Sequence, residues 1–252
     1  MLEHTSEHAG RVAVVTGAGS GIGRGIAHRL QQEGARVNAL DVSAPSSDTA
    51  TDLPPGCAPI TYYQVDASQE QAVEATLETI AARDGAMEYL VCCAAIFPWR
   101  PFLDVGIEEW QRTLAVNLTG SFLCCRAALR QMRARGFGRI VLFSSGLARS
   151  GGVNCAAYAT SKGGVLGLAR SAALEVASEN IRVNTISPGL TDTPQPRGHL
   201  SEEALYAKGP TIPLGRIGRV EDIVEACLFL LSEDSSFVVG QDLRVNGGAP
   251  LW

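Results

Sequence analysis

The sequence lacks the long apolar and basic stretches that mark membrane-bound and polyanion-binding proteins. In its 252 residues no apolar run approaches the roughly 18 to 20 residues that span a bilayer. The first residues are polar and acidic, unlike the basic and apolar start of a signal peptide. The formal net charge is −5, from 21 basic and 26 acidic side chains, with no basic run. We therefore expect a small-molecule substrate rather than nucleic acid or a membrane surface as the partner.

The seven cysteines form no CxxC pair. Cys92 and Cys93 are neighbours in a predicted strand, where adjacent side chains point to opposite faces, so they are poorly placed as joint metal ligands. An odd number of cysteines in a chain of this length is typical of reduced, mostly buried thiols in a cytoplasmic protein. We expect no metal site.

Short apolar segments alternate with longer segments of helical period along the whole chain. The predicted strands are Val12–Thr16, Arg36–Leu40, Ile60–Val65, Tyr89–Ala94, Arg139–Ser144, Ile181–Ser187 and Asp242–Val245. The predicted helices are Gly21–Glu33, Gln69–Arg83, Glu108–Arg135, Ala156–Ser178 and Val220–Leu231. Strands that are short and almost continuously apolar are typical of a parallel sheet with helices on both faces. The pattern predicts an α/β doubly wound fold, with residues 1–252 as a single domain.

A long irregular segment, Pro188–Gly218, interrupts this alternation near its end. Loops of that length inside a compact domain are usually functional. We therefore predict a substrate lid over about residues 190–215.

A glycine-rich turn follows the first predicted strand and leads directly into a helix. It reads Thr16-Gly17-Ala18-Gly19-Ser20-Gly21-Ile22-Gly23. Glycines allow a tight turn and let a pyrophosphate approach the backbone, where the helix N-terminus supplies free N–H groups. Asp41 ends the second predicted strand, 24 residues after Gly17, and its carboxylate can accept hydrogen bonds from ribose hydroxyls. This context predicts a dinucleotide site with Gly17, Ser20, Gly21, Ile22, Gly23 and Asp41.

Asp41 also favours NAD over NADP as the cofactor. A 2′-phosphate beside that carboxylate would be repelled by about 1–4 kcal/mol at 4 Å. Position 20 is serine, and Asp41 is followed by Val42 and Ser43, so neither place offers a compensating cation.

Tyr158 and Lys162 are spaced i, i+4 at the start of a predicted helix and share one face. A phenol titrates near pH 10 and is a poor base at neutral pH. A neighbouring ammonium stabilises the phenolate, so Lys162 is expected to lower the pKa of Tyr158 and make it a usable general acid and base. Ser145 at the end of a predicted strand and Asn117 in another helix complete the set.

With these motifs in this order, the sequence resembles the short-chain dehydrogenase/reductase family. The resemblance includes Val116-Asn117-Leu118-Thr119-Gly120, Asn184-Thr185-Ile186-Ser187-Pro188-Gly189 and a closing Val245-Asn246-Gly247-Gly248. It implies a Rossmann-like fold with seven parallel strands, which in this family is usually assembled as a dimer or tetramer. From it we predict a homotetramer paired through the two long predicted helices.

The resemblance also implies a role for each matching residue. Tyr158 would exchange a proton with the substrate oxygen, and Ser145 would hydrogen-bond the same oxygen. Lys162 would bind the nicotinamide ribose, and Asn117 would interrupt its helix to hold a proton-relay water. The remaining implied cofactor residues are Asp66 and Ala67 at the adenine and Pro188, Gly189, Thr191 and Thr193 at the nicotinamide.

One stretch departs from the family pattern. Cys92-Cys93-Ala94-Ala95 stands where members usually have Asn-Asn-Ala-Gly. Because this stretch meets the adenosine ribose through its backbone, the loss of the asparagines should not abolish binding. Ala95 adds a methyl group where the backbone is crowded.

The segments expected to form the substrate wall are rich in aromatic, aliphatic and basic side chains. The candidate substrate residues are Phe97, Trp99, Arg100, Leu147, Arg149, Cys155, Arg197 and His199. Their apolar members predict a bulky cyclic or aryl-bearing secondary alcohol or ketone. An alternative is a sugar or an anionic hydroxy acid held by Arg149 or Arg197.

Two further alternatives stay open. One is an NADPH-dependent ketoreductase working in the opposite direction. The other is a catalytically silent NAD-binding sensor or scaffold, against which the complete set Asn117, Ser145, Tyr158 and Lys162 speaks.

Overall fold

The computed structural model describes residues 6–43 and 57–249. They contain one sheet of seven parallel strands in the order β3-β2-β1-β4-β5-β6-β7. The strands are β1 (Val12–Thr16), β2 (Arg36–Asp41), β3 (Thr61–Gln64), β4 (Tyr89–Cys92), β5 (Gly138–Phe143), β6 (Ile181–Pro188) and β7 (Asp242–Val245). Each predicted strand is present, with shifts of one or two residues at the ends.

Helices cover both faces of the sheet, so the predicted doubly wound fold is confirmed. They are α1 (Gly21–Gln32), α2 (Glu70–Asp84), α3 (Ile107–Leu114), α4 (Gly120–Arg135), α5 (Leu147–Ser150), α6 (Ala156–Val176), α7 (Pro194–Arg197), α8 (Glu202–Tyr206) and α9 (Val220–Leu231). One core, with Leu77, Leu123 and Val165, lies beneath α2, α4 and α6. The other, with Ile26 and Ile223, lies beneath α1 and α9. The central strands β1, β4 and β5 are buried along their whole length because both faces are covered.

Two predicted elements differ from the structure. The helix predicted over Glu108–Arg135 is not continuous: between α3 and α4 the backbone makes a π-helical turn, Ala115–Thr119. The segment predicted as irregular, Pro188–Gly218, carries α7, α8 and a 3₁₀ turn, Gly209–Thr211. Apolar periodicity does not register the one extra residue of a π turn, and the short lid helices lack a full amphipathic repeat.

The order of the strands reverses between β1 and β4. In open α/β sheets, ligands bind in the crevice at the carboxyl ends of the strands beside such a switch point. Within residues 6–43 and 57–249, no helix is both long and apolar enough to cross a membrane.

Candidate active site

A cavity of about 880 Å³ lies at this crevice. Its wall is formed by segments at the carboxyl ends of all seven strands and by the lid. This volume is in the usual range for a ligand site.

The glycine-rich turn forms the floor of the cavity after β1. Gly17 has a φ of +65°, and a Cβ there would lie 2.7 Å from the backbone nitrogen of Ala94. A Cβ on Gly23 would lie 2.2 Å from the carbonyl oxygen of Gly17. Side chains are therefore excluded from both positions. Ser20 is the N-cap of α1, and its side chain makes no capping hydrogen bond. The start of the helix therefore lines the cavity without a side-chain cap. This cradle fits a pyrophosphate.

Asp41 stands at the carboxyl end of β2, where the sequence places the ribose. Its Oδ2 accepts a hydrogen bond of 2.9 Å from the Gly19 backbone N–H, and its Oδ1 accepts one of 3.0 Å from the Ser43 N–H. A Cβ on Gly19 would lie 2.9 Å from this carboxyl group. The carboxylate is thus fixed against the glycine turn before any ligand contacts it.

Asp66 lies after β3, and Ala67 beside it also lines the cavity. The carboxylate accepts hydrogen bonds from the N–H and hydroxyl of Ser68 and from Arg112 at 2.9 Å. Although burial alone would raise it, these bonds hold the pKa of Asp66 below its usual value. Arg112 is a cavity residue that the sequence did not single out.

Tyr158 on α6 faces Ser145, which follows β5. Both side chains are more than nine-tenths buried, and both line the cavity. Burial raises the pKa of Tyr158, and hydrogen bonds with Gln195 and Ser145 only partly oppose this.

Lys162 lies one turn further along α6 and is buried. Its Nζ donates a hydrogen bond of 2.8 Å to the Phe143 carbonyl oxygen and lies 5.8 Å from the centroid of the Tyr158 ring. Burial lowers the pKa of Lys162 to about 8. The lowering of the Tyr158 pKa that we expected from Lys162 is not seen in this geometry, because the ammonium donates to Phe143 and desolvation of the phenol dominates.

Asn117 occupies the middle of the π turn and is fully buried. Its Oδ1 accepts from the Ile96 N–H at 2.8 Å, and its Nδ2 donates to the Ile96 carbonyl oxygen and to Ser161 Oγ, both at 3.0 Å. The predicted interruption of the helix at Asn117 is present. Its side chain joins the segment after β4 to α6.

The predicted nicotinamide residues begin at the last residue of β6 and line the same cavity: Pro188, Gly189, Thr191 and Thr193. Thr193 is also the N-cap of α7, the first helix of the lid. A Cβ on Gly189 would lie 2.8 Å from Asn246. The start of the lid therefore packs against the loop after β7.

An aromatic wall stands over Tyr158. The Phe97 ring makes edge-to-face contacts with Tyr158 at 4.5 Å, His199 at 5.4 Å and Trp99 at 5.7 Å between centroids. His199 Nε2 is 3.0 Å from the Phe97 carbonyl oxygen, so this lid residue bridges to the segment after β4. Leu147 on α5 completes the predicted apolar lining.

The three arginines predicted for the substrate wall are all paired with carboxylates. Arg149 lines the cavity but binds Asp242 at 3.2 Å, and Arg100 binds Glu109 at 2.8 Å outside the lining. Arg197 also lies outside the lining and binds Asp192 at 2.7 Å. Arg100 and Arg197 therefore lie outside the cavity wall in this structure.

Cys155 is likewise not a lining residue, because its thiol lies under Leu147 against Gly152. Several lining residues were not singled out from the sequence: Leu200, Lys208, Arg244, Asn246 and Ala249. They come from the lid, from β7 and from the loop after β7, and no local sequence pattern predicts that these segments meet at the cavity.

The cysteines form no disulfide in the described part of the chain. A hydrogen bond with Cys124 and burial raise the pKa of Cys92, and burial raises that of Cys93. Both are packed thiols rather than nucleophiles. Among the described residues there is no cluster of three or more potential metal ligands.

The fold and the site together define a Rossmann-type oxidoreductase that uses a nicotinamide dinucleotide. A family model described as enoyl-(acyl carrier protein) reductase matches residues 17–250. The chain belongs to the short-chain dehydrogenase/reductase family, and its relatives include dehydrogenases that act on CH–OH groups.

Three proteins illustrate the similarity. The cis-4-hydroxycyclohexanecarboxylate dehydrogenase of Sinomonas cyclohexanicum is 40% identical over 241 residues, which is 95% of this chain and 96% of the relative. The (3R)-3-hydroxyacyl-CoA dehydrogenase of Mus musculus is 38% identical over 94% of this chain and 95% of its own length. A solved structure from Beutenbergia cavernae, assigned as an NAD(P)-dependent gluconate 5-dehydrogenase and containing NADP at low occupancy, superposes with a TM-score of 0.89. It is 36% identical over 97% of this chain and 98% of that one.

Proposed function

We propose that the protein is an NAD-dependent dehydrogenase of bulky cyclic or aryl-bearing secondary alcohols, acting reversibly on the corresponding ketones. The observation that carries this proposal is the aromatic wall of Phe97, Trp99 and His199, in which the Phe97 ring contacts Tyr158. An aromatic wall beside a proton donor fits a ring that bears a hydroxyl group.

The residues divide the chemistry between them. When bound in the glycine cradle, the nicotinamide dinucleotide supplies or accepts the hydride. Ser145 and Tyr158 hold the substrate oxygen, and Tyr158 removes its proton during oxidation or donates one during reduction. Lys162 lies within one helical turn of Tyr158 and binds the ribose hydroxyls, while Asn117 keeps the π turn open for a relay water.

Tyr158→Phe tests this assignment, because it removes one oxygen and leaves the ring. We expect kcat to fall by about 10²–10⁴-fold, the usual contribution of a positioned acid or base. NADH affinity, measured by fluorescence titration, should change little, since the cradle is untouched. If the variant retains activity, Tyr158 is not the proton donor. If the wild-type protein binds NADH but turns over no alcohol or ketone in a broad panel, it is a silent dinucleotide-binding sensor or scaffold.

For the cofactor, Asp41 supports NAD. Its carboxylate is held beside the ribose position by two backbone N–H groups, so it cannot easily swing away from a 2′-phosphate. In Asp41→Asn we expect the ratio of kcat/KM for NAD to that for NADP to fall at least tenfold, in line with 1.4 kcal/mol of relieved repulsion. A wild-type preference for NADP(H) in initial-rate measurements would instead favour the ketoreductase alternative.

An anionic cyclic hydroxy acid is a second candidate substrate. The Sinomonas relative, 40% identical to this chain, is named for a hydroxycyclohexanecarboxylate. Turnover of cis-4-hydroxycyclohexanecarboxylate at a higher kcat/KM than that of 4-methylcyclohexanol would support it.

For the assembly we propose a homotetramer in the cytoplasm. The two helices expected to pair carry exposed apolar side chains, with Phe122 on α4 at 43% and Leu174 on α6 at 81% exposure. Sedimentation velocity tests the assembly, and a monomer at micromolar concentration would refute it. The cytoplasmic location follows from the thiols and stays a prediction.

A further inference from the structure

Lysine is rare in this chain, and both lysines line the cavity. Nineteen of the 21 basic residues other than histidine are arginines, and the two lysines are Lys162 and Lys208. Lys162 is buried beside Tyr158. Lys208 lies on the lid just after α8, and its side chain is exposed.

The charge of Lys208 has no counterpart in the described part of the chain. No hydrogen bond or ion pair joins its ammonium to a described residue. By contrast, Arg149 is bound to Asp242 and Arg112 to Asp66. The carboxylates among the described lining residues, Asp41 and Asp66, both lie at the adenosine end.

Lys208 sits at the opposite end of the cavity. The segment after it is tied to the loop after β7, because Leu214 donates a backbone hydrogen bond of 3.0 Å to Gly247. β7 lies five strand spacings from β2, which Asp41 ends, or about 24 Å. The nearby lid core of Leu205, Ile212 and Ile217 packs against Leu200 and Ala249, which are themselves lining residues.

We propose that Lys208 binds a carboxylate of the substrate, so that the enzyme prefers cyclic hydroxy acids to neutral cyclic alcohols. The inference rests on the proposed dehydrogenase function. The substrate hydroxyl lies at Tyr158, the ring against Phe97 and Trp99, and the carboxylate at the lid. A lysine is suited to this role because its ammonium is a point charge on a flexible four-carbon stem that can follow the lid.

A matched pair of substrates tests the charge. In wild type and Lys208→Met, kcat/KM is measured for cis-4-hydroxycyclohexanecarboxylate and for cis-4-methylcyclohexanol, which has a similar ring and no charge. We expect the acid-to-alcohol ratio of kcat/KM to fall about tenfold in Lys208→Met, the scale of one lost charge-assisted hydrogen bond. Lys208→Arg, which keeps the charge, should lower the ratio less than threefold. An unchanged ratio in Lys208→Met overturns the proposal.

Amine labelling gives a second readout that needs no turnover. The two lysines can be acetylated with a succinimidyl ester and followed separately by peptide mass spectrometry. With NADH present, cyclohexanecarboxylate should slow acetylation of Lys208 at least threefold, whereas cyclohexylmethanol should not. Equal rates with both ligands contradict a carboxylate contact.

The two readouts separate the possible failures. If wild type oxidises neither compound yet the carboxylate protects Lys208, the proposed reaction fails and the anion contact stands. If wild type oxidises both and Lys208→Met keeps the ratio, the dehydrogenase assignment stands and the role of Lys208 fails.

Discussion

The adenosine end and the substrate end of the cavity are built in different ways. At the adenosine end, backbone atoms shape the surface: Gly17 and Gly23 leave no room for side chains, and two backbone N–H groups hold Asp41. At the substrate end, side chains from distant segments meet, as in the contact of Phe97 with His199 across 102 positions. A binding surface made of backbone tolerates little change, whereas one made of loop side chains can be altered without losing the fold.

The strongest test of this difference is a side chain added to the glycine-rich turn at the adenosine end. A Cβ in Gly23→Ala would meet the Gly17 carbonyl oxygen at 2.2 Å, and no flexible side chain can give way. We expect the free energy of unfolding to fall by about 3 kcal/mol and NADH affinity to fall at least tenfold. Urea denaturation and fluorescence titration measure the two effects.

The matched control is Gly163→Ala, in the interior of α6. A Cβ there would meet the Ala148 carbonyl oxygen at 3.8 Å, an ordinary contact. We expect it to raise the free energy of unfolding by about 0.5–1 kcal/mol. Wild-type NADH affinity in Gly23→Ala would show that the adenosine end is less rigid than its geometry implies.

The second test concerns Lys162, which lies between the two ends. Burial lowers its pKa to about 8 from an ordinary value of 10.5. Between these pH values the unfolded chain holds the proton and the folded protein has released it, so the free energy of unfolding rises with pH across that window. Below pH 8 the folded and the unfolded protein both hold the proton, so the free energy of unfolding is lowered by the full cost of burying the ammonium.

We compare wild type with Lys162→Met, which removes only this titration. The difference in free energy of unfolding, wild type minus variant, should rise by about 2–3 kcal/mol from pH 8 to pH 10.5. Denaturation curves at half-unit steps of pH measure it. A difference that stays constant would mean that the ammonium is solvated rather than buried.

The smallest effect is expected on the lid. Asp192 accepts hydrogen bonds from Arg197 at 2.7 and 3.1 Å and from the Tyr206 hydroxyl at 2.6 Å, and so ties α7 to α8. Because this pair is partly exposed, we expect Asp192→Asn to cost at most about 1 kcal/mol. That cost should appear as a rise of twofold to fivefold in the KM of the substrate, with the KM of NAD unchanged.

Glu202→Gln is the comparison for the lid. Glu202 also binds Arg197, but its side chain is 68% exposed, so we expect a smaller rise in KM. Equal changes in the KM of NAD and of the substrate would show that the lid serves both ends of the cavity alike.

The same contrast explains what could be predicted from the sequence. The strands and the cofactor residues from Gly17 to Asp41 depend on neighbouring positions, so a local pattern is enough. The pairing of Arg149 with Asp242, 93 positions away, could not be foreseen, because it depends on where β7 enters the sheet.

Other features that were not predicted had some signal in the sequence. Asp192 and Arg197 lie five positions apart in the lid, close enough that pairing could have been weighed against a substrate role. The rarity of lysine could have drawn attention to Lys208. The raised pKa of Tyr158 had no sequence signal, because desolvation depends on the complete cavity.

The π turn at Ala115–Thr119 has a consequence for how this chain can vary in length. Such a turn holds one residue more than the α-helical path, and one residue of an α-helix corresponds to a rotation of about 100°. Because the wide turn takes up the extra residue, α3 and α4 keep the phase of one continuous helix, which leaves Arg112 on Asp66 and Leu123 in the core. Deleting a residue at the turn would restore the α-helical path at the same phase, whereas deleting one inside α4 would rotate the rest of that helix by about 100°. Single-residue deletions should therefore disturb the packing of α4 less at the π turn than within α4 itself.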